Sequence, residues 1–138
     1  MKKLFIFIFF LISSNICASE IKLEKIVDSL DKPWSLSFID EKNIIITEKS
    51  GKLYTFNLKN KKISEIKHNL SVLEVGQGGL LDVLYHEQKV YISYSENRGD
   101  WKTSTSVARG KFNNTNINFK NIFQANPPID SVITLVQD

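Results

Sequence analysis

The architecture of the chain is best worked out from one stretch, Gly76-Gln77-Gly78-Gly79-Leu80-Leu81-Asp82-Val83, in which a glycine cluster leads directly into an apolar run. Three of the six glycines in the chain lie in its first four positions. Glycine accepts positive φ angles and lets other groups approach the backbone closely, so the cluster predicts a shaped loop before a strand. Gln77 adds an amide that can donate and accept hydrogen bonds. Two interpretations stay open: a tight turn between sheet units, or a ligand-facing loop with Gln77 as its polar group.

On either side of this loop, short apolar or alternating segments are separated by turn residues, with no sustained helical period. They predict two sets of four strands, 34–39, 44–47, 53–56 and 61–67, then 80–85, 89–95, 105–112 and 117–123, with a weak extra strand at 21–28. Segments 34–38 and 43–48 take the places in the first set that 80–84 and 89–94 take in the second. A four-stranded unit repeated every forty to fifty residues or so is typical of a propeller blade. Because two blades cannot close a ring, we predict an all-β chain that is part of a larger β-propeller.

Residue types within the strands also predict how they pack. Residues 44–47, Ile-Ile-Ile-Thr, are apolar enough to be buried on both faces of a sheet. Trp34, Leu36 and Phe38 share one face of their strand at core spacing. Asp82 lies inside a strand, where we expect a hydrogen-bonding polar residue of the core rather than a catalytic base.

Length, composition and charge describe ordinary globular material. The chain has 138 residues, 42% hydrophobic and 24% charged, which is enough for one small domain. The net charge of +3 comes from scattered lysines. Residues 59–62, Lys-Asn-Lys-Lys, resemble a solvated turn rather than a nucleic-acid-binding arm. We therefore expect no nucleic-acid partner.

Residues 1–18 have the layout of a signal peptide. A positive start, Lys2-Lys3, precedes an apolar run at 4–12 that is too short for a comfortable membrane span. Cleavage after Ala18 would also remove Cys17, the one cysteine of the chain, so the mature chain would carry no disulfide. The expected location is periplasmic or secreted, with no membrane association after cleavage.

Five segments together resemble a known family. They are KPWSLSF at 32–38, ITEKSGKL at 46–53, GQGGLLDV at 76–83, YISYS at 91–95 and VARG at 107–110. In these segments the chain resembles the soluble sugar dehydrogenases that use pyrroloquinoline quinone (PQQ), the glucose/sorbosone dehydrogenase family. The glycine segment is the most specific of the five.

The resemblance implies that residues 19–131 form about two four-stranded blades at the N-terminus of an exported, six-bladed parent propeller. Enzymes of that family oxidise aldose sugars to lactones by hydride transfer, with PQQ and Ca²⁺ over the central channel and a histidine that takes the sugar's hydroxyl proton. Gln77 matches the family glutamine that points into the cofactor and sugar pocket, so the resemblance implies a cofactor-binding role for it. In that family the calcium ligands and the cations that hold the quinone lie in later blades. No catalytic or metal-binding residue is therefore assigned here, and we expect neither PQQ nor calcium to be bound by this chain alone.

Other candidate residues have simpler explanations. His86 lies in a turn and His68 ends a polar outer strand, so we expect structural or solvent-exposed roles for both. Trp34 and Trp101 could stack on sugars, but the first lies at core spacing and the second in a charged loop. No carboxylate pair, metal-ligand cluster or Ser-His-Asp constellation stands out in the sequence.

Residues 132–138 depart from the family pattern. After a segment like 126–131 the family continues with a Gly-His-Phe-Gly-Ser-Arg-Leu type of motif that carries the base, whereas this chain reads Val-Ile-Thr-Leu-Val-Gln-Asp. Codons for these seven residues exist that, read in a shifted frame, encode His-His-Phe-Gly-Ser-Arg-Leu. We therefore interpret 132–138 as an aberrant tail, of the kind a single-nucleotide deletion would produce.

The sequence leaves three functions open. The first is an N-terminal piece of an exported quinone-dependent aldose dehydrogenase, inactive alone because the base and the later blades are missing. The second is a non-enzymatic fragment that binds a partner or merely persists, and the third is a propeller of another class, such as an exported lactonase or a carbohydrate-binding repeat protein. In each case two blades alone would leave two outer faces uncovered, so we expect the isolated chain to be poorly soluble or to self-associate.

Overall fold

The computed structural model describes residues 21–130, so the expected signal peptide at 1–18 and the aberrant tail at 132–138 lie outside the described residues. Within residues 21–130 the regular structure consists of ten β-strands and no helix, which confirms the all-β class. No helix long and apolar enough to cross a membrane is found in this part of the chain.

The strands form two sheets. The first contains β1 (Pro33–Phe38), β2 (Asn43–Glu48), β3 (Leu53–Asn57), β4 (Ile63–His68) and the short β8 (Asn116–Ile117), hydrogen-bonded in that order. The second contains β5 (Leu80–His86), β6 (Lys89–Asn97), β7 (Lys102–Lys111), β9 (Lys120–Gln124) and the short β10 (Ile129–Asp130). Both β9 and β10 pair with β7. Each sheet is built on an antiparallel meander of four strands, so the two predicted propeller blades are present.

The main core lies between the two sheets. Its buried residues are Ile45, Leu53, Ile66 and Ile117 from sheet 1, Leu80, Val83, Val90, Ile92, Tyr94 and Ala108 from sheet 2, and Phe119 from the link between β8 and β9. We call the surface that sheet 1 presents to this core its front face, and the surface that sheet 2 presents its back face. Burial of these apolar side chains contributes most of the free energy that holds the blades together.

Hydrogen bonds between the sheets fix how they are stacked. The Ser37 hydroxyl accepts from the Tyr85 backbone N–H at 3.0 Å, and the buried Thr47 hydroxyl donates to the Leu81 carbonyl at 2.7 Å. These bonds join β1 and β2 to β5, so the stacking of the two blades is directional as well as hydrophobic.

A second, smaller core covers part of the other side of sheet 1, which we call its back face. Ile44, Ile46 and Phe56 are buried there, with Val27 and Leu30 packed on them. Successive residues of β2 therefore point into two different cores, and the prediction that 44–47 is buried on both faces is confirmed. The predicted weak strand at 21–28 is wrong: residues 21–30 form no strand, because this segment packs through side chains and pairs with no strand edge in the described chain.

Trp34, Leu36 and Phe38 share one face of β1 but do not enter a core. Their exposed fractions are 47%, 52% and 62%, because the segment with Val27 and Leu30 covers only another part of this back face. The expected core position of Trp34 is therefore wrong within residues 21–130, because no layer of these residues covers this part of the face.

The predicted closing strand at 117–123 is split in two. Asn69 holds Phe119 through two hydrogen bonds, donating to its carbonyl at 3.1 Å and accepting from its N–H at 2.8 Å. This contact removes Phe119 from both ladders, and the chain crosses there from sheet 1, where β8 pairs with β4, to sheet 2, where β9 pairs with β7.

Candidate functional site

The glycine loop at 76–79 is a tight turn with specific steric demands. The Gly78 N–H donates to the Val75 carbonyl at 2.7 Å, and Gly76 has a φ of 54°, a left-handed conformation that side chains disfavour. A Cβ on Gly79 would lie 2.3 Å from the Lys49 carbonyl oxygen. The loop therefore needs glycine both for backbone conformation and for close contact with sheet 1.

Lys49 fixes this loop from the end of β2. Its carbonyl accepts from the Leu80 N–H at 3.0 Å, and its ammonium donates to the Gly76 carbonyl. The same ammonium lies 5.6 Å from the centre of the half-exposed Trp34 ring. Trp34 thus stands beside the glycine loop, whereas its side chain was expected in the core.

A cleft of about 590 Å³ opens beside the loop, a volume in the range of small-molecule sites. Its lining comes from the loop, from the adjoining ends of β6 and β7 and from the segment that leads into β10: Leu73, Val75, Gly76, Gln77, Gly78, Ser95, Thr103, Ser104, Thr105, Ala125, Pro127, Ile129 and Asp130. Gln77 is exposed in this lining, and its amide makes no hydrogen bond to other residues within 21–130. The loop is thus both a tight turn and one wall of a cleft.

The polar groups of the cleft other than Gln77 are hydroxyls and one carboxylate, from Ser95, Thr103, Ser104, Thr105 and Asp130. Sequence reasoning missed all of them. The available signal was strand pairing, because antiparallel pairing of 89–95 with 105–112 brings the end of one strand to the start of the next beside the loop.

Two cations contact the lining of the cleft without forming part of it: the Lys49 ammonium, at the Gly76 carbonyl, and Arg98. The Arg98 guanidinium donates to the Ser104 hydroxyl at 3.1 Å. Among the described residues that line the cleft there is no lysine or arginine, so this part of the site is suited to neutral polar groups rather than to a cluster of anions.

Behind the cleft, Glu96 joins three strands of sheet 2. Its carboxylate accepts from Ser106 at 2.6 Å, from Asn121 at 3.2 Å and from Gln124. Burial raises the pKa of Glu96, but these hydrogen bonds and the charge of Arg98 outweigh burial and hold the pKa below its ordinary value. The carboxylate therefore stays ionised and holds β9 against β6 and β7.

Tyr94 extends this network. Its hydroxyl donates to the Asn121 side-chain oxygen at 2.8 Å. Burial raises the pKa of Tyr94, so the hydroxyl remains a donor at neutral pH. Tyr94 has a structural role, because it lies in the main core between the two sheets and does not line the cleft.

Both histidines lie away from the cleft. His68 accepts from the Leu70 N–H through Nδ1 at 3.2 Å, which leaves Nε2 to donate to the Gly51 carbonyl at 2.7 Å. His86 is exposed at the end of β5, so its predicted position in the turn is wrong, and its Nε2 lies 3.7 Å from the carboxylate of Glu87, the first residue of the β5–β6 turn. The first histidine ties two turns of sheet 1 together, and the second is a surface residue.

Asp82 and Trp101 complete the sequence candidates. Asp82 accepts from the Ser35 hydroxyl at 2.5 Å, so its hydrogen-bonding role is confirmed, but it is exposed and its expected core position is wrong. The reason is that it lies where the inner strands β1 and β5 meet, open to solvent on one side. Trp101 is 67% exposed in the β6–β7 turn and does not line the cleft with Gln77.

The described residues also bear on metal binding. Within 21–130 no group of three or more histidine, cysteine, aspartate or glutamate side chains is placed to hold a metal ion. Asp130 is the single carboxylate among the described residues that line the cleft.

Comparison with known proteins identifies the relatives of this fold. The Glucose / Sorbosone dehydrogenase family profile matches residues 30–134. The Aldose sugar dehydrogenase YliI of Escherichia coli (strain K12) is 28% identical over 120 residues, 80% of this chain and 32% of that protein. A solved glucose dehydrogenase is 33% identical with a TM-score of 0.71, over 77% of this chain and 33% of its own.

A more distant solved structure agrees in fold. The PQQ-bound form of the aldose sugar dehydrogenase of Streptomyces coelicolor is 15% identical with a TM-score of 0.66, over 76% of this chain and 34% of its own. The chain thus spans about a third of the length of the relatives it matches. Since the family profile covers most of the sequence and the two-blade fold agrees with it, the chain belongs to the glucose/sorbosone dehydrogenase family.

Proposed function

We propose that this chain forms the N-terminal, two-blade part of an exported, PQQ-dependent sugar dehydrogenase that oxidises aldoses to lactones, and that Gln77 is its contribution to the sugar and cofactor site. The observation that carries the proposal is the position of Gln77. It lies on a sterically fixed loop, lines a cleft of ligand size and keeps an amide without partners within residues 21–130.

The chemistry of the cleft supports the sugar side of the site most directly. Gln77, Ser95, Thr103 and Thr105 offer neutral donors and acceptors that match the hydroxyls of an aldose. Asp130 adds an acceptor for a sugar hydroxyl. A neutral, polyhydroxylated ligand could therefore bind to this lining without an uncompensated charge.

The fit to the quinone is partial. PQQ carries three carboxylates, and its binding requires cations that the described part of the lining does not include. Gln77 would donate one neutral hydrogen bond to it, while positive charge and calcium ligands would come from other parts of the enzyme. When bound, the quinone would supply the hydride acceptor for oxidation at the anomeric carbon. We therefore expect no sugar oxidation by residues 21–130 alone.

Saturation-transfer NMR with D-glucose tests this proposal on the chain itself. Gln77→Ala is the test variant, and Gln88→Ala is the matched control because Gln88 is an exposed glutamine in the β5–β6 turn, outside the cleft. We expect glucose contacts in the wild type and the control, and at least a several-fold weaker effect in Gln77→Ala, since one lost hydrogen bond costs about 1 kcal/mol. Equal glucose binding by all three proteins would contradict the assignment of Gln77.

A further inference from the structure

The β6–β7 turn holds Trp101 in a backbone conformation that its side chain disfavours. The Lys102 N–H donates to the Gly99 carbonyl at 2.8 Å, and the two residues between them, Asp100 and Trp101, have φ angles of 49° and 58°. Positive φ at both central positions makes this a type I′ turn, in which asparagine, aspartate and glycine are preferred. A bulky side chain is an outlier there. Since strain of this kind collects at functional sites, Trp101 points to a role beyond closing the turn.

Strand register places this turn beside the cleft that Gln77 lines. Thr103, two residues after Trp101, lines the cleft and lies opposite Asn97 in the β6–β7 ladder. Lys102, the residue directly after Trp101, lies opposite Asp130, which also lines the cleft. The position of the turn relative to the cleft is therefore set by pairings inside sheet 2, and it is the same whatever else packs on the sheet in a longer enzyme.

A smaller hollow of about 380 Å³ lies at the turn. Its lining residues are Leu73, Asn97, Gly99, Asp100 and Trp101. Leu73 lines the larger cleft as well, so the two spaces adjoin and share one wall. A ligand that fills the cleft at Gln77 can thus extend into the hollow at Trp101.

The hollow combines a flat apolar ring with a donor and an acceptor. Trp101 is 67% exposed. The Asn97 Oδ1 accepts from the Gly99 N–H at 3.0 Å, which leaves its Nδ2 as a donor without a partner within residues 21–130. The exposed Asp100 carboxylate is the acceptor. This set matches a pyranose ring, because axial C–H bonds give the sugar an apolar face and its hydroxyls both donate and accept at the rim.

We propose that Trp101 is the platform for a second sugar ring, so that the site takes a disaccharide or longer oligosaccharide with its reducing ring at Gln77 and its next ring stacked on the indole. The inference rests on the proposed sugar site at Gln77 and extends it. A ring of the glucose configuration fits best, because its equatorial hydroxyls leave axial C–H bonds on both faces. The Asn97 Nδ2 and the Asp100 carboxylate then bind hydroxyls at the edge of this ring.

NMR titration of the ¹⁵N-labelled chain with cellobiose and, separately, with D-glucose tests the proposal. The chain contains two tryptophans, so two indole N–H signals are expected, and the one lost in Trp101→Gly belongs to Trp101. We expect cellobiose to shift the Trp101 signal. We also expect cellobiose to bind about two- to tenfold more tightly than glucose, the gain typical of one aromatic contact.

Trp101→Gly is the test variant because glycine suits the left-handed position and removes the ring. It should bind glucose as the wild type does, but bind cellobiose no more tightly than glucose. Gln88→Gly is the matched control, since Gln88 has a φ of 60° at the same position of the β5–β6 turn, at the other end of the sheet. It should keep the full gain for cellobiose. Trp101→Phe should keep part of it, because an aromatic ring remains.

The outcomes separate the Trp101 platform from the Gln77 site. If glucose shifts the Gln77 side-chain signals but cellobiose binds no more tightly than glucose, the platform is wrong and the Gln77 site stands. The same holds if Trp101→Gly keeps the gain for cellobiose. If neither sugar shifts the Gln77 signals, the Gln77 site is wrong and the platform is wrong with it. Trp101→Asn replaces the glycine variant if that variant fails to melt cooperatively, because asparagine also accepts the left-handed conformation.

Discussion

Gly79→Ala is expected to destabilise the chain more than any other alanine substitution in the glycine loop. The new methyl would lie 2.3 Å from the Lys49 carbonyl oxygen and 2.6 Å from its Cγ, where ordinary contact begins at 3.4 Å. The oxygen would have to retreat by about 1 Å, the difference between these values. It cannot do so freely, because it accepts the hydrogen bond from the Leu80 N–H at 3.0 Å.

The magnitude follows from these two contacts. Overpacking of this kind costs about 1–3 kcal/mol, and weakening the hydrogen bond adds about 1 kcal/mol, for a total loss of about 2–4 kcal/mol in the free energy of unfolding. Gly76→Ala is the matched control. Its Cβ would meet no atom within 4 Å, so only the left-handed conformation at φ 54° costs energy, about 1–2 kcal/mol.

Urea unfolding measures both variants at one fixed protein concentration, because the stability of any associating protein depends on its concentration. The predicted order is wild type, then Gly76→Ala, then Gly79→Ala. A Gly79→Ala protein as stable as Gly76→Ala, or more so, would refute the close packing of the loop against Lys49.

Three further predictions concern other parts of the chain. The folded pKa of Glu96 lies below its ordinary value of 4.5, so its stabilisation is complete above that pH and is lost as the pH falls through the lowered pKa. Glu96→Gln should therefore lose less stability on acidification than the wild type does. An equal loss of stability in both proteins would contradict this. Asn69→Ala should cost about 1–3 kcal/mol in urea unfolding by leaving Phe119 without its two hydrogen bonds, whereas exposed Asn114→Ala should change little; equal effects would argue against the crossing contact. Mass spectrometry of exported chain should find a new N-terminus at Ser19, and an intact Met1 would count against the signal peptide.

Much of the fold was predictable because the blades repeat a simple pattern. The Ile-rich strand β2 was recognised as buried on both faces from composition alone, since a run without polar alternation has no face for water. The outward position of Trp34, Leu36 and Phe38 was not predictable, because the strand pattern shows which residues share a face but not whether another layer covers it.

Contacts distant in sequence account for the other errors. The break between β8 and β9 depends on Asn69, which lies 50 residues from Phe119 along the chain, and no local pattern at 117–123 reports it. In the candidate site too, the local pattern predicted one residue but not its distant contact. The glycine cluster pointed to Gln77 as a loop residue, but Lys49, which fixes that loop, appeared in the sequence only as a charge after a strand.

The role of Gln77 in a sugar site is tested most directly by its own side-chain amide. In a ¹⁵N-labelled chain titrated with D-glucose, the Gln77 side-chain NH₂ signals should shift progressively, while those of Gln88 in the β5–β6 turn and Gln124 in the Glu96 network should stay in place. Gln77 signals that stay unchanged at saturating glucose, in a chain whose spectrum shows it folded, would contradict the proposed site.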